Sequence, residues 1–198
     1  MLNVNSEVGP LKKVIIHRPD EGIARISPKK AAELLFDDIV HLPKMKDEHD
    51  IFRRVLQHLI GKENVLDTER LIEEGLEASL DVKEELIDKI VDYEELPVSD
   101  KDFMMKLDAR SLTKLLITGY HKDEDHIYFD PIPNFIFTRD IAVVIKGHIV
   151  ITKAAKIARY RENLLTRFIF YAHPFFKHLN SEGRIINLNH LDKFPPSK

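Results

Sequence analysis

A ten-residue segment in the middle of the chain brings together side chains that suit a guanidinium ligand. It runs from Pro131 to Asp140 and contains an amide at Asn134, an aromatic ring at Phe137 and a carboxylate at Asp140. A carboxylate accepts two parallel N–H bonds from a planar guanidinium, and an aromatic face attracts the same cation. The segment therefore predicts a guanidinium-binding site anchored by Asp140. The same residues would also fit an ordinary loop with a solvated Arg139–Asp140 pair.

The elements before this segment predict a strand-helix-strand portion of an α/β fold. β-branched runs too short for a helix predict strands, and apolar residues at four-residue steps predict an amphipathic helix. Serine followed by proline is typical of a helix start, and glycine of a helix end. The predicted elements are a strand over 12–17, a short helix from Ser27-Pro28 through Leu35, a helix over 45–60 that ends at Gly61, and a strand over 64–66.

Residues 68–119 differ in composition from the rest of the chain. Glu, Lys, Leu and Ile dominate, and helical periods replace strand patterns, so this part predicts a helical insertion. Its helices are expected over 71–80, 82–93 and 109–117. Asp81 and Ser99 are the expected helix caps, and Pro97 is expected to separate two helices.

A hairpin is predicted directly after the guanidinium-binding segment. Apolar runs over 141–145 and 148–152 flank Lys146-Gly147, a two-residue connection typical of a tight turn. Asp140 would then lie at the mouth of a strand. A helix is expected from about 153 to 171 and a further strand over 184–187, which gives the order strand, strand, helix, strand.

Composition excludes several classes of function. The 198 residues contain 30 basic and 33 acidic side chains, so no basic excess favours nucleic acid as a partner. No apolar stretch is long enough for a membrane helix, and the start lacks an export signal, which predicts a cytoplasmic protein. There is no cysteine for a disulfide or a thiolate zinc site. The histidines of the 121–126 segment match no familiar ligand spacing, so neither a metal nor another cofactor is expected.

The chain resembles the arginine deiminase family of guanidino-group modifying enzymes, in the pentein superfamily. The likeness rests on four segments in the family's order. They are the PNxxFTRD run that ends at Asp140, an opening segment over 3–19, Leu34-Leu35-Phe36-Asp37-Asp38-Ile39, and Ala158-Arg159-Tyr160-Arg161-Glu162.

The resemblance implies a partial five-bladed α/β propeller built from ββαβ modules with an α-helical insertion. On this division, residues 1–67 form the first part of the propeller and 68–119 the insertion. Residues 120–198 form a ββαβ module, and the chain ends before the remaining modules. We therefore expect an N-terminal portion of a longer enzyme, with exposed strand edges that favour self-association into a homo-oligomer.

The resemblance also implies roles for individual residues. Asp140 becomes the catalytic carboxylate, and Arg159 would grip the α-carboxylate of a small-molecule substrate, arginine or a related guanidine. Asn134 would contact the amino-acid end of that substrate, Phe137 would lie against its guanidinium, and Leu35 would offer a backbone contact. Arg139 and Arg161 are expected to form structural ion pairs. Asp37 and Asp38 are adjacent carboxylates, for which a loop or helix-terminal role is expected.

The reaction that the resemblance implies needs a thiol. In that reaction a cysteine thiolate attacks the guanidinium carbon, ammonia leaves, and water hydrolyses the covalent intermediate to citrulline. Because the chain has no cysteine, we expect the 198 residues alone to be inactive. Two alternatives remain: another guanidino-group enzyme, such as an amidinotransferase or a methylarginine hydrolase, and a non-catalytic guanidinium-binding protein. Ile141 after Asp140, and Tyr160 inside the Ala-Arg run, depart from the family pattern and indicate a divergent member.

Overall fold

The protein is a mixed α/β structure in which helices outnumber strands. A computed structural model describes residues 2–36 and 40–189. The helices within these ranges are α1 (Glu21–Ala24), α2 (Leu42–Ile60), α3 (Thr68–Ala78), α4 (Leu80–Tyr93), α5 (Val98–Lys106), α6 (Ala109–Thr118), α7 (Thr138–Ile141), α8 (Tyr160–Ala172) and α9 (Pro174–Ser181). The strands are β1 (Val14–Ile16), β2 (Val65–Asp67), β3 (Tyr120–His121), β4 (His126–Ile127), β5 (Ala142–Ile145), β6 (His148–Ile151) and β7 (Ile185–Asn187).

The first unit is a parallel strand pair joined by a helix. β1 pairs with β2 in parallel, with Val14 opposite Val65, and α2 forms the crossover between them. A parallel pair needs such a crossover because a tight turn can join only antiparallel strands. Gly61 ends α2 with φ 89°, a conformation that a residue with a Cβ rarely adopts. The predicted strand-helix-strand order is confirmed.

One face of α2 is apolar and exposed. Leu56 is the buried residue of this helix, whereas Ile51, Phe52, Val55 and Leu59 are each more than half exposed. The sequence pattern predicted this amphipathic stripe, yet the described residues leave it uncovered. An apolar stripe at helical spacing thus identifies a surface that favours contact without identifying what it contacts.

The helical segment α3 to α6 supplies much of the core. α3 packs against α4, α6 and α8, and the buried side chains include Ile72, Ile87, Ile90 and Leu112. Gly75 of α3 permits close packing on α8, because a Cβ there would lie 2.7 Å from the ring of Phe168. The core therefore joins the predicted insertion to the second strand unit.

The end of α6 positions the loop that leads to the predicted site. Gly119 follows α6 with φ 71°, and its carbonyl accepts a hydrogen bond from the Tyr128 amide at 2.8 Å. A Cβ on Gly119 would lie 1.9 Å from the Phe129 carbonyl oxygen, so only glycine fits. The amide of Ile132 then donates to the Ile117 carbonyl at 3.1 Å. These contacts fix the start of the Pro131–Asp140 segment.

The second unit is a three-stranded mixed sheet in the order β5-β6-β7. β5 and β6 form an antiparallel hairpin closed by Lys146-Gly147, and β7 adds in parallel to β6 after α8 and α9. The predicted order of strand, strand, helix, strand is confirmed, with α9 as an additional short helix. A tight connection suits β5 and β6, whereas β7 requires a helical crossover.

The sheets within the described residues stay separate and none of them closes on itself. The structure therefore supports an α/β class and leaves the propeller arrangement untested. No helix in this part of the chain has both the length and the apolar character needed to cross a bilayer.

Several predicted boundaries were wrong. Residues 28–35 form hydrogen-bonded turns instead of a short helix, and Leu35 at the end of this segment adopts a left-handed φ of 56°. The helix expected from about 153 begins only at Tyr160, after a 3-10 turn over Ile157–Arg159. Asp81 and Ser99 lie inside the first turns of α4 and α5. Carboxylates do cap two other helices of this segment, with Asp67 at the start of α3 and Asp108 at the start of α6.

Candidate functional site

Asp140 and Arg159 form the centre of the candidate site. Asp140 lies in α7, directly before β5, and Arg159 closes the 3-10 turn that precedes α8. Arg159 Nη1 donates a hydrogen bond to Asp140 Oδ2 at 3.1 Å. The Asp140 side chain is 52% exposed. The structure thus brings the predicted anchor and the predicted carboxylate-binding arginine into direct contact, with the Asp140 carboxylate open to solvent on one side.

A second carboxylate, Glu162, holds the other edge of Arg159. Glu162 Oε2 accepts from Arg159 Nε at 2.9 Å and lies 2.8 Å from Nη2. Its side chain is only 1% exposed. Arg159 and Glu162 are three residues apart at the start of α8, a spacing that places side chains on the same helix face. Arg159 therefore bridges two carboxylates, one buried and one accessible.

Burial controls the proton affinity of Glu162. Removal from water disfavours the charged carboxylate and raises the pKa of Glu162 to about 7, although the neighbouring Arg159 opposes this change. Burial also disfavours the charge on Arg159. The hydrogen bonds to Glu162 and Asp140 outweigh that effect, so the pKa of Arg159 lies above its usual value. The site thus holds a permanent cation beside a carboxyl group that titrates near neutral pH.

Asn134 lies on the inner side of the same segment. It is part of a 3-10 turn over Pro133–Ile136 and is buried. Its Nδ2 donates to the carbonyl oxygen of Leu34 at 2.7 Å, which ties the predicted site segment to the residue before Leu35. The Asn134 side chain therefore already makes one hydrogen bond within the protein. This contact positions the Leu34–Leu35 backbone next to the segment that carries Asp140.

Phe137 links the buried turn to the exposed carboxylate. Its amide donates to the Asn134 carbonyl at 3.0 Å, and its own carbonyl accepts from the Asp140 amide at 2.9 Å. The Phe137 side chain is 47% exposed. None of the cation–ring contacts between described residues involves this ring. Its geometry is compatible with a role as a flat surface for a ligand, since an exposed aromatic face attracts a guanidinium.

Leu35 carries an unusual backbone conformation. Its φ of 56° is left-handed, which costs a side chain with a Cβ roughly 1–2 kcal/mol. Leu35 borders a cleft of about 620 Å³ that is also lined by Leu34, Tyr93, Ala158 and Arg161. Asp140, Asn134, Phe137 and Arg159 do not line this cleft. Of the predicted residues, Asp140 and Arg159 are in direct side-chain contact, whereas Leu35 lies at this separate cleft.

The two other arginines of the sequence motifs form ion pairs, as predicted. Arg139 pairs with Glu7, and both side chains are exposed. Arg161 is buried and pairs with Glu94, while its Nε donates to the Leu116 carbonyl at 3.1 Å. Its guanidinium also lies 4.2 Å from the centre of the Phe129 ring. Arg161 thus fixes α8 against the rest of the fold. It is not directed to the Asp140 carboxylate.

Metal ligation finds no support among the described residues, which contain no group of three His, Asp or Glu side chains able to hold an ion. His121 and His126 pair across the short β3–β4 ladder. Asp37 and Asp38, named above as adjacent carboxylates, lie outside the described residues. Glu162 was not among the predicted site residues. The Arg-x-x-Glu spacing was the signal for its proximity, and its burial could not be read from the sequence.

Comparison with known proteins establishes the family. The sequence model of the family described as arginine deiminase matches residues 32–192, most of the chain. The chain belongs to the arginine deiminase family. This match includes α2 and β2 of the first unit, the helical segment, the second strand unit and the Asp140–Arg159 centre.

Individual arginine deiminases resemble the chain at moderate identity. That of Listeria innocua is 34% identical over 195 residues, covering 88% of this chain and 47% of the relative. The corresponding enzyme of Latilactobacillus sakei is 32% identical over 196 residues, with the same coverage. The arginine deiminase of Bacillus cereus is 32% identical over 200 residues, covering 90% of this chain and 48% of the relative. The chain therefore spans about half the length of the relatives it matches.

Proposed function

We propose that this protein acts on the guanidinium group of arginine or a closely related guanidine, with Asp140 as the carboxylate that binds this group. The observation that carries the proposal is the contact between Asp140 and a guanidinium of the chain itself, that of Arg159, at 3.1 Å. Family membership supports arginine as the substrate class. The exposed side of Asp140 leaves room for the charge-assisted pair that a guanidinium ligand would form.

The proposed reaction is the hydrolysis of arginine to citrulline and ammonia. A cysteine thiolate would form a bond to the guanidinium carbon, the C–N bond to the leaving nitrogen would break with protonation to ammonia, and water would release citrulline and the thiol. The 198 residues contain no cysteine. We therefore propose that this chain contributes substrate-binding groups and that turnover requires a thiol from outside the sequence described.

Four residues complete the proposed binding site. Arg159 Nη1 would bind the α-carboxylate of the substrate, and the half-exposed ring of Phe137 would contact its guanidinium. Asn134 and Leu35 would shape the amino-acid end through the Leu34–Leu35 backbone. The hydrogen bond from Asn134 to the Leu34 carbonyl supports this grouping, because it joins the two predicted segments directly.

A non-catalytic guanidinium-binding protein is the second candidate, favoured by the absence of cysteine from the sequence. Family membership favours a deiminase over an amidinotransferase or a methylarginine hydrolase. The helices α3 to α6 agree with that choice, because the resemblance to arginine deiminases implies a helical insertion at this place in the chain. We further propose a cytoplasmic protein with no nucleic-acid or membrane partner. We also propose that the chain is part of a five-bladed propeller. Its division is then a first propeller part (1–67), a helical insertion (68–119) and a ββαβ module (120–198).

The apolar stripe on α2 supports the proposed self-association. Ile51, Val55 and Leu59 are spaced by four residues and are all exposed, so two copies could bury this stripe against each other. Light scattering on the purified chain tests this directly. A mass above 23.0 kDa that falls on dilution is expected, whereas a strictly monomeric mass at all concentrations would contradict it.

Turnover and binding must be measured separately to test the function. The purified 198-residue chain incubated with L-arginine is expected to release no citrulline, while isotope-edited NMR should show arginine-dependent shifts near Asp140. Citrulline release that persists in a repurified sample would overturn the assignment of the nucleophile. Absence of any arginine-dependent shift at Asp140 and Phe137 would overturn the binding proposal.

A further inference from the structure

Glu162 is a buried carboxylate whose polar side-chain contacts are with Arg159. Its Oε2 lies within 2.9 Å of two nitrogens of Arg159. The other oxygen, Oε1, is buried and has no hydrogen-bond partner among the described residues. Burying a carboxylate with an unsatisfied oxygen is costly. Because burying Glu162 costs free energy of folding, its position is better explained by its contact with Arg159 than by a contribution to stability.

The geometry divides the Arg159 guanidinium into two edges. Glu162 occupies the edge formed by Nε and Nη2, and Asp140 accepts from Nη1 alone. Because a guanidinium is planar and rigid, fixing the Nε–Nη2 edge also fixes the direction in which Nη1 points. Nη1 is therefore the nitrogen that can exchange partners while the arginine stays in place.

We propose that Glu162 is a positioning residue: it holds the Arg159 guanidinium by one edge, so that a guanidino ligand displaces only the single Arg159–Asp140 contact. This inference rests on the function proposed above. On binding, the guanidinium of the ligand pairs with the Asp140 carboxylate, and Nη1 of Arg159, without changing its direction, donates to the carboxylate of the ligand instead of to Asp140. Each charge keeps an opposite charge beside it throughout the exchange.

The charge state of Glu162 sets how readily that exchange occurs. Ionised Glu162 shares Arg159 with Asp140, whereas neutral Glu162 leaves Asp140 as the one anionic partner of Arg159 at this site. The pair Arg159–Asp140 then tightens and competes with the ligand. The charged groups that face Glu162 are Arg159 from the 3-10 turn, Asp140 from α7 and Arg161 from its own helix.

The size of the effect follows from the ionised fraction. Since the pKa of Glu162 is about 7, the carboxylate is about one-tenth ionised at pH 6 and about nine-tenths ionised at pH 8. If ligand binding requires the ionised form, the apparent dissociation constant is divided by that fraction, which predicts about tenfold tighter arginine binding at pH 8 than at pH 6.

The first experiment needs no ligand. In protein labelled with ¹⁵N-arginine, the Nε–H resonance of Arg159, assigned by its loss in Arg159→Lys, should titrate with a midpoint near pH 7. In Glu162→Gln the titration should vanish, and in the exposed control Glu77→Gln it should persist. An Arg159 resonance that stays constant from pH 5 to 9 in the wild-type protein would overturn the positioning role, whether or not arginine binds.

The second experiment uses L-arginine as the probe at pH 6 and pH 8. The wild-type protein and Glu77→Gln should bind about tenfold more tightly at the higher pH, while Glu162→Gln should bind weakly and equally at both. A purely structural role of Glu162 would lower affinity without removing the pH dependence, and that result would contradict the proposal. If the Arg159 resonance titrates and arginine never binds, the proposed function fails and the positioning of Arg159 stands.

Discussion

Replacing Glu162 with glutamine should change how the stability of the protein depends on pH. Burial raises the pKa of Glu162 in the folded protein from 4.5 to about 7. Between these values the folded state binds a proton that the unfolded state has lost, so the free energy of unfolding falls as the pH rises. The stabilisation is fully present below about pH 4.5 and is lost as the pH passes about 7.

The magnitude follows from the width of that window. From 4.5 to about 7 is about 2.5 pH units, and each unit corresponds to about 1.4 kcal/mol, which gives about 3.5 kcal/mol as the full effect. In Glu162→Gln the side chain keeps its size and cannot ionise. The difference in the free energy of unfolding between wild type and variant should therefore change by about this amount between pH 4.5 and pH 8.

Urea unfolding followed by circular dichroism at pH 4.5, 6, 7 and 8 measures this difference. The difference between wild type and variant removes the contribution of the other titrating groups, and Glu77→Gln controls for the loss of one exposed carboxylate. Parallel stability curves for the wild-type protein and Glu162→Gln would refute the reasoning. So would a wild-type protein that gains stability relative to the variant as the pH rises.

Two further predictions concern the scaffold that holds the site. Gly119→Ala should destabilise the fold by more than about 3 kcal/mol, because the new Cβ would lie 1.9 Å from the Phe129 carbonyl oxygen. Gly183→Ala, also at positive φ but with no atom within 4 Å, should cost only about 1–2 kcal/mol in urea unfolding; equal losses would contradict the close-contact explanation. Arg161→Met should cost about 3–5 kcal/mol, because it removes a buried guanidinium that pairs with the partly exposed Glu94 and donates to the Leu116 and Asp130 carbonyls, and Glu94→Gln combined with it should recover part of that loss; a single variant as stable as wild type would contradict the role of this pair.

Local sequence patterns predicted much of the topology. The strands predicted on either side of the amphipathic helix are present as Val14–Ile16 and Val65–Asp67, and they form a parallel pair. The Lys146-Gly147 turn closes a hairpin directly after Asp140. These elements depend on period and turn chemistry within a few residues, and such information is present in the sequence itself.

Elements that depend on distant contacts were predicted less well. Residues 153–156 include helix-forming Lys and Ala, yet α8 begins only at Tyr160. The Ile157 carbonyl accepts a hydrogen bond from the Tyr93 hydroxyl of α4 at 2.9 Å, so a tertiary contact stabilises the turn before α8. Intrinsic propensity is a weak signal when such contacts compete with it.

The candidate site shows the same division. The Asp140–Arg159 pair follows from two motifs in the right order, and their side chains do meet. The importance of Glu162 could not be predicted, because a sequence gives its spacing from Arg159 and not the 1% exposure that changes its proton affinity. Likewise, the apolar residues of α2 gave a correct helix without revealing that the described fold leaves them exposed.

The most direct test of the central claim, that the Asp140 carboxylate binds a guanidinium ligand, is an NMR titration with L-arginine at pH 8. We compare the wild-type chain with Asp140→Asn and with Asp123→Asn, which changes an exposed loop carboxylate. Weak binding is expected, because Arg159 already occupies one oxygen of Asp140. Shifts at Phe137, Asp140 and Arg159 should appear in the wild-type protein and in Asp123→Asn, and should disappear in Asp140→Asn. Arginine binding of undiminished affinity in Asp140→Asn would contradict the account.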